Sequence, residues 1–281
     1  MFGLSTTNHW AITFGVLGNV ISFMVYLAPA PTFWRVYRKK STEGFQSIPY
    51  IVALFSAMLW IYYALIKTES EFLLTINGLG CIIETIYIII YLIYAPKEAK
   101  VSTVKLLLLL NVGIFGLIVL VSLVFAKGAD RVTSLGWMCV GFSVLVFVAP
   151  LSIIRLVIKT KSVEFMPFSL SLFLTLSAVT WFLYGFLSHD KYIAIPNVLG
   201  FAFGLIQMVL YTVYMDAKKT KPVVEEHDVP EHIINMVKIG VEVYPIDANK
   251  EEGGDYNKEC ELTNNGTNKE NTTGPHEEAE V

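Results

Sequence analysis

The long apolar stretches of this chain lack basic residues. No Lys, Arg or His stands at mid-depth in any of them, and the one acid there is Glu84. Ionisable residues inside a membrane mark proton relays and ion sites. Their scarcity argues against an ion pump and against hydrolysis, and no nucleophile–base set is visible. The chain reads as no enzyme, with no cofactor and no metal. Cysteine is scarce too: Cys81 and Cys139 fall within apolar stretches and Cys260 in the C-terminal tail, which leaves no pair outside for a disulfide. No basic region precedes the first apolar run and no small-residue cleavage site follows it, so that run reads as a retained span.

Hydrophobic residues make up 54% of the chain and charged ones 16%. Soluble domains run nearer about 45–50% and about 25%. Seven stretches are long enough to cross a bilayer, at about 10–33, 47–66, 72–94, 104–126, 134–157, 167–187 and 192–215. Thirteen Lys and Arg lie in one set of alternate loops and four in the other. The richer set belongs in the cytoplasm, which puts the N-terminus outside and the tail inside.

The chain repeats itself. At a shift of 121, Ser22 falls on Ser143, Val25 on Val146, Ala28-Pro29 on Ala149-Pro150, Ser41-x-Glu43 on Ser162-x-Glu164, Ser56 on Ser177 and Trp60-x-x-Tyr63 on Trp181-x-x-Tyr184. At a shift of 120, Asn77-x-x-Gly80 falls on Asn197-x-x-Gly200, Tyr91 on Tyr211 and Tyr94 on Tyr214. Spans 1–3 and 5–7 are therefore two copies of one unit. Three-helix units joined directly would run oppositely; the leucine-rich fourth span makes them parallel and reads as an inversion linker. The expected architecture is all-α: seven transmembrane helices forming two parallel three-helix bundles, 3+1+3. Residues 1–96 form the first repeat, 97–130 the linker, 131–215 the second repeat and 216–281 a disordered cytoplasmic tail. That tail carries 16 acidic and 7 basic residues, too little apolar surface to fold on. Its glycosylation patterns at Asn265 and Asn271 should stay unmodified on the cytoplasmic side.

Asn77 and Asn197 are candidate ligand residues. An amide offers two donors and an acceptor, and a pair facing one cavity suits a neutral polyhydroxylated ligand. The alternative is helix–helix glue. Trp60 and Trp181 could stack on a sugar ring or stand in the interfacial belt. Ser22, Ser56, Ser143 and Ser177 could line a cavity or permit close packing. Pro29, Pro49, Pro150 and Pro167 lie at one depth near span ends. They form an intracellular hinge, or they start and stop helices. Glu84, two turns beyond Asn77, is a structural carboxyl or a proton-coupling site.

The runs Leu27-Ala-Pro29, Lys40-Ser-Thr-Glu-Gly-Phe-Gln-Ser-Ile-Pro49, Thr160-Lys-Ser-Val-Glu-Phe-Met-Pro167 and Val179-Thr-Trp181 resemble the plant SWEET sugar transporters over about residues 8–215. The resemblance implies passive, bidirectional sugar transport by alternating access, most like the sucrose-preferring group. It implies sugar contacts at Asn77, Asn197, Trp60 and Trp181, and a pocket lined by Ser22, Ser56, Ser143 and Ser177. It further implies pocket size set by Val25 and Val146, a hinge at Pro29, Pro49, Pro150 and Pro167, and an extracellular gate at Tyr63, Tyr184 and Asp190. Homo-oligomers, often trimers, and a plasma-membrane location are expected by analogy. The rival readings are a hexose-selective facilitator, a proton-coupled carrier and a seven-helix receptor.

Overall fold

A computed structural model of the chain describes residues 9–68, 70–163, 166 and 168–215. Pro167 and the tail, with its two glycosylation patterns, lie outside the described residues. All regular structure among them is helical: α1 (His9–Leu27), α2 (Ala30–Lys39), α3 (Ile48–Ile66), α4 (Glu71–Tyr94), α5 (Lys97–Leu107), a π-helical turn (Leu108–Ile114), α6 (Phe115–Phe125), α7 (Gly128–Val146), α8 (Val148–Thr160), α9 (Phe168–Leu187) and α10 (Lys191–Tyr214). These make seven segments long and apolar enough to span a membrane. Spans 1 and 5 each comprise two helices, α1–α2 and α7–α8, and span 4 runs through α5, the π turn and α6.

Spans 1, 4 and 5 are longer than apolar runs alone predict. The reason is amphipathicity. In α2, Thr32, Phe33 and Val36 are buried while Arg38 and Lys39 are exposed, so one face packs and the other keeps its charge in water. A hydropathy window averages the two faces and stops early.

Helix packing gives a ring. In the first bundle α4 packs against both α1 and α3; in the second, α10 packs against both α7 and α9. The bundles meet twice, α1 on α9 and α3 on α7. The two meetings are the same pair of spans with the copies exchanged, as a two-fold relation between repeats requires. Span 4 stays outside the ring, along α3, with its end touching α7.

The buried clusters reveal how the bundles are joined. One cluster draws on both: Phe55, Leu59, Tyr63 and Ile76 from the first, Leu135, Cys139, Trp181 and Tyr192 from the second. It lies toward the Asp190 end of the molecule. Toward the opposite end, each bundle has its own. Phe33, Val36, Tyr50, Tyr87 and Tyr91 form one; Val157, Val163 and Met166 form the other. Among the described residues, then, the core is shared at one end and divided at the other.

Each bundle is tied internally at the divided end. Lys40 and Lys161 stand at matching places as left-handed C-caps, both at φ 55°, a common way to stop a helix. Lys40 Nζ donates to the Tyr94 hydroxyl at 3.1 Å and Lys161 Nζ to that of Tyr214 at 2.8 Å. The end of the first span is thus strapped to the end of the third in both copies. The first bundle adds Glu43, which pairs with Lys39 at 2.5 Å and with Arg35 at 3.2 Å. The hydrogen bond from Lys39 leads in holding the Glu43 carboxyl below the usual range.

Span 4 is fastened at its far end by Arg131. Its Nε donates to the carbonyls of Ser122 and Ala126 at 3.0 and 3.1 Å, and its Nη2 to those of Leu123 and Ala126 at 3.4 and 2.9 Å. These are the carbonyls a helix leaves unpaired at its C-terminus. A guanidinium fork with five donors suits several of them at once. Replacing Arg131 by Ala should cost about 2 kcal/mol, which lowers the thermal unfolding midpoint in detergent by roughly 4–8 °C. An unchanged midpoint would mean that these carbonyls find other partners.

Candidate functional site

A cavity of about 300 Å³ lies inside the ring, walled by side chains from α1, α3, α4, α7, α9 and α10. Nine of the ten residues expected to meet a ligand line it: Ser22, Ser56, Trp60, Asn77, Ser143, Val146, Ser177, Trp181 and Asn197. Val25 is not on this wall; its neighbour Tyr26 is, as are Phe147, Leu73, Ile76, Ile193 and Pro196. Sequence reasoning missed these six. Tyr26 and Phe147 match at the 121 shift, a signal passed over because the two residue types differ. Pro196 lies within α10, where it removes one backbone donor beside Asn197.

The paired amides behave alike. Asn77 Nδ2 donates to the Leu73 carbonyl at 2.8 Å, and Asn197 Nδ2 to that of Ile193 at 2.7 Å. Each bond uses one N–H on the residue's own helix, four positions back. A primary amide has a second N–H and an oxygen, so the back-bond fixes the orientation and leaves donor and acceptor capacity facing the cavity.

The Trp-x-x-Tyr pairs are also alike. Trp60 meets Tyr63 edge-on at 5.7 Å and 89°, and Trp181 meets Tyr184 at 5.5 Å and 88°. Each Trp lines the cavity, and its Tyr sits one turn nearer the Asp190 end. Trp181 is 7% exposed, which takes it out of any interfacial belt; Trp10, Trp34 and Trp137 are the exposed indoles. Trp181 Nε1 donates to Ser22 Oγ at 2.9 Å, and Ser22 Oγ lies 3.1 Å from Ser177 Oγ. Serines of α1 and α9 therefore join the bundles at cavity level. Gly18 keeps that approach close, for a Cβ there would stand 3.1 Å from the Trp181 ring.

Toward one end the cavity is capped by Asp190. Its Oδ1 accepts the backbone N–H groups of Tyr192 at 2.9 Å and Ile193 at 3.3 Å, an N-cap for α10. Its Oδ2 accepts the Tyr63 hydroxyl at 2.9 Å and pairs with Lys67. Tyr63 and Lys67 belong to the first bundle, Asp190 to the second. Tyr63, Asp190 and Tyr184 are all buried. Lys67 is a further residue missed from the sequence, where it looked like the one basic residue of a short turn. Under this cap Cys139 is fully buried, with its Sγ 3.8 Å from the Leu59 carbonyl of the facing bundle.

The prolines stand at helix boundaries. Pro29 separates α1 from α2, and Pro49 opens α3. Pro150 is the third residue of α8, just past the break at Phe147. Pro167 falls outside the described residues. Glu84 is buried, and among the described residues its Oε2 has no hydrogen-bond partner.

A family model described as a sugar efflux transporter for intercellular exchange matches residues 12–99 and again residues 133–219. The bidirectional sugar transporter SWEET13 of Oryza sativa subsp. japonica is 67% identical over 217 residues, covering 77% of this chain and 73% of the relative. This chain belongs to the SWEET family. Another relative, the bidirectional sugar transporter SWEET11 of Arabidopsis thaliana, is 58% identical over 241 residues, 84% of this chain and 83% of its own. Among solved structures, a eukaryotic SWEET transporter superposes with a TM-score of 0.71 at 31% identity, covering 75% of this chain and all of that one. The two blocks matched by the family model fall on the two bundles of this SWEET protein, with most of span 4 between them.

The Asp190 cluster yields a prediction. Asp190→Asn keeps an acceptor for the α10 cap but removes the charge that holds Lys67 and Tyr63. A hydrogen bond to a charged group contributes about 1.5–3 kcal/mol, and each 1.4 kcal/mol shifts a population about tenfold. With Cys81 and Cys260 replaced, the labelling rate of Cys139 by a maleimide should rise at least about tenfold in Asp190→Asn. An unchanged rate would show that the cap does not depend on this charge.

Proposed function

We propose that this chain is a bidirectional sugar facilitator and that sucrose is its substrate. One observation carries the reading: a cavity of about 300 Å³ walled equally by two repeat-related bundles, each offering one oriented amide and one indole. Its volume falls at the lower end of small-molecule pockets, about 300–1,000 Å³, and fits a sugar closely held. Asn77 and Asn197 hydrogen-bond sugar hydroxyls. Trp60 and Trp181 pack on the apolar faces of the rings. Ser22, Ser56, Ser143 and Ser177 keep the wall small and polar, and Val146 leaves room for a second ring. Val25 stands outside the lining in this conformation.

Transport follows from the uneven joint between bundles. The Asp190 end is sealed by Tyr63, Lys67 and Tyr184; the divided core at the other end lets the bundles part. Breaks at Pro29 and Pro150 and the helix start at Pro49, together with Pro167, serve as the hinge. The repeats are residues 1–96 and 131–215, with 97–130 as the inversion linker and 216–281 as the tail. By the basic-residue asymmetry of the loops, the sealed end is extracellular and the structure is the inward-facing state. The protein acts in the plasma membrane as a homo-oligomer, for which a trimer is the favoured number.

Among the described residues Glu84 has no basic partner within the spans, which favours facilitation over proton coupling. Weak binding suits a carrier that must release its cargo: a millimolar Kd corresponds to only about −4 kcal/mol. In cells without their own carriers, the chain should take up labelled sucrose, and Asn197→Ala should abolish most of that flux at equal surface amount. Glucose flux alone would make it a hexose facilitator of the same fold. Flux of neither sugar, with the protein at the surface, would favour a receptor.

A further inference from the structure

The two copies part company at the deep end of the cavity, away from Asp190. Tyr26 and Phe147 occupy matching positions there, and both line the wall. Each ring rests on a glycine of the third span in its own bundle. A Cβ on Gly80 would stand 2.5 Å from the ring carbon and hydroxyl oxygen of Tyr26, and one on Gly200 would stand 3.5 Å from the Phe147 ring. Gly80 and Gly200 also match in the repeat, so the aromatic-on-glycine contact is common to both bundles. The hydroxyl is not.

One turn beyond Gly80, on the same face of α4, stands Glu84; its counterpart is Gly204. Glu84 is 4% exposed, and its Oε2 is unpartnered among the described residues. Among the described residues the Tyr26 hydroxyl has no hydrogen-bond partner either, whereas the hydroxyl of Tyr87 donates to the Tyr26 carbonyl and fixes the backbone at this point. Tyr26 thus stands on the cavity wall, and Glu84 lies outside the lining, one helical turn beyond the glycine on which the Tyr26 ring rests; the second bundle has Phe147 and Gly204 at these places. Buried polar groups are ordinarily paired. Glu84 is such an exception, and with a cavity-lining hydroxyl beside it the place suits a hydroxylated ligand.

We propose that Tyr26 is a sugar-binding residue and that Glu84 is its positioning residue. The inference rests on the sugar reading above and gives it a direction. With sugar bound, the Tyr26 hydroxyl, unpaired in this conformation, donates a hydrogen bond to the Glu84 carboxylate, and the phenol oxygen accepts one from a hydroxyl of the sugar. The first bundle thus offers a polar contact where the second offers the apolar face of Phe147. A disaccharide lies one way round between them, one ring hydrogen-bonded at Tyr26 and the other against Phe147.

The test is initial sucrose flux against concentration, normalised to surface protein, in the full-length chain. Tyr26→Phe keeps the ring on Gly80 and removes only the hydroxyl. It should raise the KM for sucrose about three- to tenfold, the loss of one hydrogen bond, with Vmax within about twofold. Glu84→Leu should raise KM in the same way, and Glu84→Gln, which still accepts a hydrogen bond, should restore it. Equilibrium dialysis of labelled sucrose on purified protein reads the same differences for a variant that reaches the surface poorly. KM within twofold of wild type in both Tyr26→Phe and Glu84→Leu would overturn the proposal and leave the facilitator intact. So would a loss of Vmax, without change in KM, shared by Glu84→Leu and Glu84→Gln. A wild-type chain that moves no sucrose would overturn the sucrose reading and this inference with it.

Discussion

Asp190 spends one carboxylate oxygen on each bundle. Oδ1 caps α10 within the second, and Oδ2 receives Tyr63 and Lys67 from the first. A buried carboxylate needs partners for its lone pairs, and leaving it without them is costly. Both halves of this arrangement therefore hold or fail together. Asp190 cannot leave the first bundle without exposing its charge to an apolar core. It cannot shift within its own bundle without uncapping α10. The shared cluster that includes Tyr63, Cys139, Trp181 and Tyr192 lies beside that tie. Among the described residues the cores are otherwise separate, so the shared cluster at this end is where the buried cores of the two bundles join.

The repeat gives each bundle its own half of the cavity wall. Each bundle is strapped at its divided end by the same Lys–Tyr contact, Lys40 with Tyr94 and Lys161 with Tyr214. Each carries its own amide, indole and ring-on-glycine contact. A bundle that moves as a body carries half the cavity with it, and the boundaries at Pro29, Pro49 and Pro150 lie where the chain lacks a backbone donor. The copies depart from symmetry at the capped end, where Lys67 has no basic counterpart, and on the cavity wall, where Ile76 is answered by Pro196 and Tyr26 by Phe147; behind Tyr26, Glu84 is answered by Gly204.

Much of this was legible in the sequence because a repeat gives every important residue a second witness. Asn77, Trp60, Ser22 and Ser56 each have a partner of the same type at one shift, and the structure brings all eight to one wall. A residue without an identical partner lacks that second signal. Lys67 has no basic counterpart, so it read as a loop charge; Tyr26 is answered by Phe147. Lys40 and Lys161 do match, but their bond to Tyr94 and Tyr214 depends on left-handed caps that composition does not reveal. The full length of span 1 is hidden for another reason: α2 carries its charges on one face, and averaged hydropathy hides an amphipathic helix. The π turn at Leu108–Ile114, with Asn111 donating to the Ile51 carbonyl at 3.4 Å, leaves no periodic mark in a run of leucines.

The most direct test of a shared end and a divided end is a pair of distances. Spin labels at Leu65 and His189 report the Asp190 end, and labels at Arg38 and Ile158 the other; all four residues are exposed. In a background without Cys81, Cys139 and Cys260, Asp190→Asn should lengthen the first distance and shorten the second. Opposite changes would show two bundles rocking about the cavity. Changes of the same sign at both ends, or none at either, would contradict the account.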